Sequence, residues 1–250
     1  MKRLVAVLTV LGLLATSAAR ADEVRVLTAG AFKAVVRAVV PGFERDGHQV
    51  VVDNDTVGGV VKRVAAGESF DIVVATPAAL AGLEGKGLVR DVVPLARVGI
   101  GVAVRDGAPR PDISTVDAFK RTLAAAKGIA YIDPAAGGSS GIYLAGLFEK
   151  LGIAAMVRPK AVLVPGGLAP ERLLTGEADI ALQQISEILP VQGVALVGPL
   201  PAEIQNETVY AGAVATGAAN PDGARAFLAL LTGAETAKVL VEKGMVPAGR

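Results

Sequence analysis

The sequence predicts an α/β protein made of two lobes. Apolar runs rich in Val and Ile, such as residues 71–75, alternate with segments in which apolar residues recur at helical spacing. Continuous apolar strands separated by helices are typical of a parallel sheet that is covered on both faces. A longer segment at 95–104, which alternates with glycine, interrupts this pattern before it begins again. We therefore expect a second lobe of the same kind after that segment.

The first lobe is expected to begin with a strand, a helix and a return strand. Apolar residues fall at helical spacing from Phe32 to Phe43, which predicts the first helix. Pro77 suits the first turn of a later helix, because the N–H that proline lacks would have no partner there. In chain order the predicted elements are strand 24–28, helix 32–43, strand 49–52, helix 57–66, strand 71–75 and helix 77–83.

The second lobe repeats this alternation, and the chain then returns to the first lobe. The predicted elements are strand 95–104, helix 116–125, strand 128–132, helix 142–151, strand 161–164, helix 170–174, strands 179–182, 194–197 and 208–215, and helices 221–231 and 234–242. We assign residues 22–93 plus 207–250 to the first lobe and residues 94–206 to the second. Two crossings between the lobes predict a hinge.

The N-terminus has the order of charged and apolar residues that is typical of a secretory signal peptide. Basic residues at positions 2 and 3 precede the apolar run 4–15, and Ala19-Arg20-Ala21 supplies the small residues of a cleavage site. The run is shorter than the roughly 18 apolar residues that a transmembrane helix needs. We therefore expect a signal peptide at 1–21, cleaved after Ala21, and a periplasmic protein without a membrane anchor.

Composition excludes several classes of function. The formal net charge is +1, and loss of the three basic residues in segment 1–21 would change it to −2. This balance, without a basic cluster, argues against nucleic acid as a partner. The chain has no cysteine and one histidine, His48, which excludes disulfides, thiolate chemistry, a histidine-rich metal site and a Ser-His-Asp triad. We expect His48 to be a solvated turn residue, and the protein to be a monomer without metal or cofactor.

Four loops that follow predicted strands carry the polar residues from which a site could be built. Ligands of open α/β sheets bind at the carboxyl ends of strands. The loops are 28–33, 53–59, 133–141 and 182–187, and each places small residues, hydroxyls, amides or bare N–H groups at the start of a helix. Ser139 or Ser140 is expected to cap the helix that follows and still offer a hydroxyl. Because helix N-termini attract anions, the loops predict an anion site in the cleft.

Several segments resemble the molybdate-binding group of periplasmic solute-binding proteins. They are Val26-Leu-Thr-Ala-Gly-Ala-Phe32, residues 67–77, residues 133–143, Leu147-Phe-Glu-Lys-Leu-Gly152 and Gly176-Glu-Ala-Asp-Ile-Ala181. The resemblance covers nearly all of the chain after residue 21. It implies a two-lobed periplasmic-binding-protein fold of type II, with a ligand cleft between lobes that two hinge strands join, and a role in supplying an ABC importer.

The chain departs from this family in the ligand loops. Molybdate-binding relatives carry serines where Ala31 and Val57 or Gly58 stand here, and often a tyrosine where Gln184 stands. A tetrahedral dianion needs many short donors to replace its water, and each lost hydrogen bond to a charged group costs about 1.5–3 kcal/mol. The departures therefore favour a larger organic anion over molybdate.

The residues expected to hold such an anion come from all four loops. Donors would be Lys33, Thr56, Ser139, Ser140, Gln183 and Gln184, with the ligand's carbon body against Phe32. The complete predicted binding set is Ala31, Phe32, Lys33, Thr56, Gly58, Ser139, Ser140 and Gln184.

Two functions follow from the resemblance. The first is a binding protein that captures a small anion, an organic carboxylate or an oxyanion, for an ABC transporter permease. The second is an enzyme, because the same subgroup resembles periplasmic aconitate isomerase, which interconverts cis- and trans-aconitate. That reaction needs a base and an acid; Lys33 is the first candidate, followed by Asp53, Asp55 and Glu187. We place binding first because it requires no positioned base. A purely structural domain would not need polar glycine loops at its strand ends.

The signal-peptide prediction is tested by the N-terminus of the exported protein. If the charged start, the apolar run and the Ala-Arg-Ala sequence act together, the mature chain begins at Asp22. N-terminal sequencing of protein from the periplasmic fraction checks this. Met1 retained in that fraction would contradict it.

Overall fold

The structure is a computed structural model that describes residues 23–249. The predicted signal peptide, residues 1–21, and the cleavage site before Asp22 lie outside the described residues. Strands and helices alternate along the chain, which confirms the predicted α/β class. No single helix in the described range is long and apolar enough to cross a membrane; helical segments 139–150 and 154–160 pass that test only as a pair, bent by 119°.

The first part of the chain folds as three strand and helix pairs that lead into one long strand. Its elements are β1 (Glu23–Ala29), α1 (Gly30–Arg45), β2 (Gln49–Asp55), α2 (Val57–Ala65), β3 (Ile72–Ala75), α3 (Pro77–Glu84) and β4 (Val89–Arg105). All six elements predicted before β4 are present, with ends shifted by a few residues.

The remaining elements alternate in the same way and end with two helices. They are α4 (Val116–Ala125), β5 (Ile129–Ile132), α5 (Ser139–Lys150), α6 (Ala154–Val157), β6 (Ala161–Val164), α7 (Glu171–Leu174), β7 (Ile180–Gln184), α8 (Ile185–Ile188), β8 (Val194–Pro199), β9 (Glu207–Ala215), α9 (Pro221–Thr232), α10 (Ala234–Glu242) and β10 (Val246–Pro247). Short 3₁₀ turns lie at Pro134–Ala136, Arg158–Lys160 and Ala202–Ile204. The prediction missed α6, α8 and β10, which are too short to show a period.

One sheet runs through the molecule, and β4 connects its two halves. The strand order is β2-β1-β3-β9-β4-β7-β5-β6, and β8 and β10 also pair with β4. The first part of β4, from Val89 to Gly99, pairs with β9, whereas residues from Ile100 onward pair with β7 and β8. The antiparallel ladder with β9 explains why β4 begins at Val89 and not at the expected residue 95. Pairs β1/β2, β1/β3, β5/β6 and β5/β7 are parallel.

Each half of the sheet buries a core of its own. In the first half, one apolar cluster contains Phe32 and Phe227 and another contains Leu80. In the second half, one cluster contains Phe119 and another contains Ala181. The division of the chain into lobes at residues 93 and 206 stays a prediction.

The histidine that we expected to be solvated is packed against α1. His48 is half-buried, and its ring stacks on Phe43 with centroids 4.2 Å apart. Phe43 in turn meets Phe227 edge-on, with centroids 5.0 Å apart. His48 therefore extends the apolar contact between α1 and α9.

A side chain joins the two segments through which the chain passes between the halves. Gln205, just before β9, accepts from the Ile100 N–H and donates to the Ile100 carbonyl, each over 2.9 Å. A Cβ on Gly99 would lie 3.0 Å from the Gln205 amide nitrogen, so the two segments are in close contact. The bonds fix the second passage of the chain against β4.

A buried carboxylate ties the edge of the first half together. Asp71 is 1% exposed, and its two oxygens accept from the backbone N–H groups of Arg25, over 2.8 Å, and Asn220, over 3.0 Å. These bonds connect β1 to the start of α9. The cost of burying the carboxylate is thus offset by hydrogen bonds to charged acceptor oxygens.

Replacement of this carboxylate should destabilise the fold without altering the cavity described below. In Asp71→Asn, the amide NH₂ would replace one of the two acceptor oxygens and would face a backbone N–H without an acceptor. We expect this to lower the free energy of unfolding by about 1–3 kcal/mol. Urea unfolding measures the change in the free energy of unfolding. Asp222→Asn is the control, because the Asp222 side chain is 90% exposed and pairs only at the surface with Arg225. Equal stability of the two variants would contradict this role.

Candidate functional site

A cavity lies where the carboxyl ends of strands from both halves meet. β1, β2, β5 and β7 all end at it, as the rule for open α/β sheets predicts. Its walls are the first turns of α1 and α5, the loop after β2, residues 167–168, and the side chains of Gln184, Glu187 and Tyr210. The cavity volume is about 50 Å³, and the cavity is partly open to solvent. Its position is that of the predicted cleft.

Two helix N-termini without side-chain caps face this cavity from opposite halves. α1 follows Ala29 and α5 follows Gly138, neither residue can cap, and neither helix has an acid in its first turn. In α2, α3, α4 and α9, by contrast, a Thr or Asn side chain accepts from a first-turn N–H. α10 also lacks a cap but carries Glu235 in its first turn. The free N–H groups and the positive ends of two helix dipoles favour an anion.

The N-terminus of α2 is occupied by the protein itself. Thr56 Oγ1 accepts from the Gly59 N–H over 2.9 Å, and an Asp55 carboxylate oxygen accepts from the Thr56 N–H over 2.7 Å. Thr56 donates its hydroxyl proton to the Ala136 carbonyl over 2.5 Å, and Gly58 donates its N–H to the Gly137 carbonyl over 3.0 Å. Thr56 and Gly58 were predicted to hold the ligand. In the structure their donors bind protein groups instead.

These bonds bring the loop after β2 against the loop after β5. A Cβ on Gly58 would lie 2.9 Å from the Gly137 Cα, and a Cβ on Gly137 would lie 2.8 Å from the Gly58 Cα. Only glycine fits at both positions without displacing backbone. The contact joins the two halves of the molecule beside the cavity.

Ser139 belongs to a hydrogen-bonded group at the cavity wall and does not cap α5. Its hydroxyl oxygen accepts from Gln184 Nε2 over 2.8 Å and lies 3.1 Å from the Tyr210 hydroxyl. α5 begins at Ser139 itself, with Gly138 as the capping position, so the capping prediction for Ser139 and Ser140 is wrong. The reason is that both serines already have helical backbone geometry. Tyr210 was not predicted, because it lies inside β9 with no loop signal near it.

Glu187 and Lys33 are the charged side chains of the cavity wall, together with Asp55. Glu187 is 8% exposed, and burial raises its pKa to about 8, although a hydrogen bond from Gln183 and the charge of Lys33 act in the opposite direction. Burial and the nearby Arg37 lower the pKa of Lys33, while Glu187 raises it. A Cβ on Gly30 would lie 2.8 Å from Glu187 Oε1, so the carboxyl group lies directly on the first residue of α1.

The other predicted binding residues divide into lining and core positions. Ala31, Lys33 and Ser140 line the cavity, as do Ser139 and Gln184. Phe32, which was expected to contact the ligand's carbon body, is completely buried in the first core and does not line the cavity. It lies on the face of α1 that packs against the sheet, where helical periodicity also puts Val35 and Val36.

Gln183 and Asp53, which were also considered, have structural partners. The Gln183 amide oxygen accepts from the Ala169 N–H over 2.8 Å, and its nitrogen donates to the Gly167 carbonyl over 2.9 Å. Gln183 therefore holds the loop that contributes residues 167–168 to the cavity. Asp53 is exposed and pairs with Arg63.

Within residues 23–249, no group of three or more His, Cys, Asp or Glu side chains is placed to hold a metal ion. The donors at the cavity are N–H groups, hydroxyls and one ammonium group, which suit an anion. The arrangement can bind a small anion and can transfer a proton to or from it through Glu187.

Comparison with known proteins gives consistent results. The family model described as bacterial extracellular solute-binding protein matches residues 24–246. An aconitate isomerase from Pseudomonas sp. is 35% identical over 232 residues, which cover 89% of this chain and 87% of that protein. The periplasmic molybdate-binding protein of Azotobacter vinelandii superposes with a TM-score of 0.72 at 19% identity, covering 89% of this chain and 98% of that one. The sulfate-binding protein SubI from Mycobacterium tuberculosis H37Rv superposes with a TM-score of 0.73 at 18% identity, covering 91% of this chain and 88% of that one. These superpositions confirm the type II periplasmic-binding-protein fold.

Ionisation of Glu187 should make the protein less stable as pH rises. The pKa of this group is about 8 in the folded protein and ordinarily 4.5, so the unfolded chain releases the proton first. The contribution of the protonated group is complete below about pH 4.5 and is lost as pH rises through about 8. At about 1.4 kcal/mol for each unit of pKa, the loss is about 3–5 kcal/mol.

Urea unfolding of wild type and Glu187→Gln at pH 5 and pH 9 measures this contribution. The free energy of unfolding of Glu187→Gln should fall less between the two pH values than that of wild type. Glu242→Gln, at an exposed position at the end of α10, serves as the control and should follow wild type. The same pH dependence in wild type and Glu187→Gln would show that the Glu187 pKa is not raised.

Proposed function

The chain belongs to the bacterial extracellular solute-binding proteins. From this premise we propose that it binds an aconitate-like tricarboxylate in its cavity and shifts the position of the double bond in that ligand. The observation that carries the proposal is a buried, protonatable carboxyl group, Glu187, inside a cavity whose other groups favour anions. The family and its anion-binding structural neighbours support the binding step. The 35% identical aconitate isomerase supports the reaction.

The binding step uses donors from both halves of the molecule. Carboxylates of the ligand would accept from the free N–H groups of α1 and α5, from the Ser139 and Ser140 hydroxyls, and from Lys33. Hydrogen bonds to charged acceptors are about twice as strong as neutral ones. Lys33 supplies one full positive charge, so the helix ends must balance the rest. This composition suits separate carboxylates better than one compact dianion.

Glu187 would be an obstacle in a site that only captures anions. An ionised carboxylate beside a bound anion repels it, and burial already holds the group protonated at neutral pH. A carboxyl group with a pKa near the working pH is, however, what general acid–base catalysis requires. The group is therefore better explained by proton transfer than by binding.

Isomerisation of aconitate is a shift of one proton and one double bond. The ionised fraction of Glu187 would take a proton from the methylene carbon next to the double bond. The electron pair of that C–H bond forms the new double bond, and the protonated Glu187 then returns the proton to the far carbon of the old double bond, so the composition of the ligand and the charge of Glu187 are unchanged. Negative charge that develops on the neighbouring carboxylates during the transfer is stabilised by the N-termini of α1 and α5 and by Lys33.

The structure favours Glu187 over the other bases that the sequence suggested. Lys33, the first candidate, provides the positive charge of the site, and this charge interacts with the carboxyl group of Glu187. Asp55 already accepts from the N–H of Thr56, the residue before α2, and Asp53 is paired with Arg63 at the surface. Of these four candidates, only Glu187 combines burial, a raised pKa and a place in the cavity wall.

The second candidate function is capture of an organic anion for an ABC importer without turnover. Membership of the solute-binding family favours it. A transporter permease would then be the partner. Under either function we propose an exported, periplasmic monomer whose N-terminal segment 1–21 is removed.

Kinetic measurements with cis- and trans-aconitate test the main proposal. Wild type should interconvert the two, seen as a change in ultraviolet absorbance, with kcat/KM rising as pH increases through about 8, the pKa of Glu187 in the ligand-free protein. Glu187→Gln should lower kcat by about 10²–10⁴, the usual contribution of one acid–base group. Its Kd for tricarballylate, the saturated analogue, should stay within tenfold of wild type. Glu242→Gln is the matched control and should behave as wild type.

The alternative outcomes separate the two functions. Tight binding of aconitate by wild type without interconversion would leave capture as the function. Binding of molybdate or sulfate in preference to every tricarboxylate would contradict the proposed ligand class. Turnover in Glu187→Gln at the wild-type rate would exclude Glu187 as the proton-transfer group.

A further inference from the structure

Ser139, Gln184 and Tyr210 form a closed triangle of hydrogen-bonding groups at the cavity wall. Gln184 Nε2 lies 2.8 Å from Ser139 Oγ and 3.4 Å from the Tyr210 hydroxyl oxygen. The two hydroxyl oxygens lie 3.1 Å from each other. Gln184 is the last residue of β7, Ser139 is the first residue of α5, and Tyr210 lies within β9, so three separate elements meet at this point.

A count of protons and lone pairs shows what Ser139 can offer a ligand. A serine oxygen has two lone pairs and one proton. One lone pair accepts an N–H of Gln184. A phenol is a stronger acid than an aliphatic alcohol, so Tyr210 is the donor to the second lone pair. Ser139 then has no remaining acceptor capacity, and its own proton is what it can present to the cavity.

Burial keeps this arrangement in place. Gln184 is 2% exposed and Tyr210 is 1% exposed, so neither side chain can exchange its partner for bulk water. Burial, and then the charge of Glu187, also raise the pKa of Tyr210, which keeps the phenol protonated and able to donate. The Gln184 amide donates its two N–H groups to the hydroxyls of Ser139 and Tyr210, so it has no N–H left to donate to the ligand.

We propose that Gln184 is a positioning residue that, together with Tyr210, makes the Ser139 hydroxyl a donor-only contact for a ligand carboxylate. The proposal rests on the proposed function, since it assumes that a carboxylate lies against α5. It adds a rule of specificity. An ionised carboxylate can receive the hydrogen bond that Ser139 donates, whereas a ligand group that must itself donate, such as a protonated acid, an alcohol or an ammonium group, finds no acceptor at Ser139.

Two substitutions of Gln184 separate positioning from packing. Gln184→Met keeps the length of the side chain but removes both N–H donors, which frees the Ser139 hydroxyl to rotate. Gln184→Glu keeps the shape but replaces the donors by acceptors, so both hydroxyls turn their protons toward residue 184 and away from the cavity. A purely structural role would leave the affinity of Gln184→Met close to that of wild type, because methionine fills a similar space. The new charge of Gln184→Glu repels an anion under either role, so Gln184→Met is the decisive variant.

Binding of tricarballylate, measured by calorimetry at pH 5 and pH 8, is the first readout. We expect the Kd of Gln184→Met to rise about tenfold, and that of Gln184→Glu to rise more than a hundredfold at pH 8. The difference between the variants should shrink at pH 5, because protonation gives the new carboxyl group a donor. Wild-type affinity in Gln184→Met, or equal losses in both variants at both pH values, would overturn the proposal.

The second readout needs no ligand. The chain has three tyrosines and no tryptophan, so protein labelled with ¹³C at tyrosine Cζ gives three signals, and Tyr210→Phe identifies that of Tyr210. In Gln184→Glu this signal should move downfield, because the phenol then donates to a carboxylate. An unchanged signal would overturn the proposal. Failure of wild type to bind tricarballylate would instead count against the proposed function, and the Tyr210 signal alone would then decide the role of Gln184.

Discussion

The site depends on two helices that begin without caps. α1 and α5 start directly after strands of different halves of the sheet, and Ala29 and Gly138 have no side-chain oxygen with which to satisfy the first N–H groups. Because β1 and β5 both end at the cavity, the two sets of free donors point into the same space. A threonine or asparagine at either position, as in the four helices that are capped, would fill one of these sets with a protein oxygen. The absence of caps therefore leaves room for an anion.

The same positive helix ends explain how a buried carboxyl group is tolerated. Glu187 lies on Gly30, the first residue of α1, with Lys33 one turn further along the same helix. These groups favour the ionised form, yet burial outweighs them and the pKa remains near 8. A ligand anion in the cavity would disfavour ionisation further, since like charges repel. The pKa of Glu187 is thus set by competition between burial, which raises it, and the hydrogen bond from Gln183 and the charge of Lys33, which lower it.

The sequence predicted the fold well because periodicity reports burial directly. The spacing of Val35, Val36 and Phe43 identified α1, and the unbroken apolar run of β3 identified a strand buried on both faces. The site was predicted only in part. Loops after strands were the right places, but Thr56 donates to Ala136, a partner 80 positions away, and no local pattern reveals such a contact. Tyr210 shows the same limit, since nothing in the sequence of β9 distinguishes a hydroxyl that reaches the cavity from one that ends in the core. The resemblance identified Gln184 as a position where the chain differs from molybdate-binding relatives. Its hydrogen bonds to Ser139 and Tyr210 depend on distances that the sequence does not reveal.

The loop after β2 contributes contacts between the halves where the sequence suggested ligand donors. Its bonds to Ala136 and Gly137 lie beside the cavity, and movement of the halves away from each other would break both of them. Gln205 holds the second passage of the chain to Ile100 of β4, so the two connecting segments would have to bend together. Contacts that exclude water from the cavity strengthen every electrostatic interaction inside it. The glycine pair at 58 and 137 allows the two loops to approach to the distance of a backbone hydrogen bond beside the cavity.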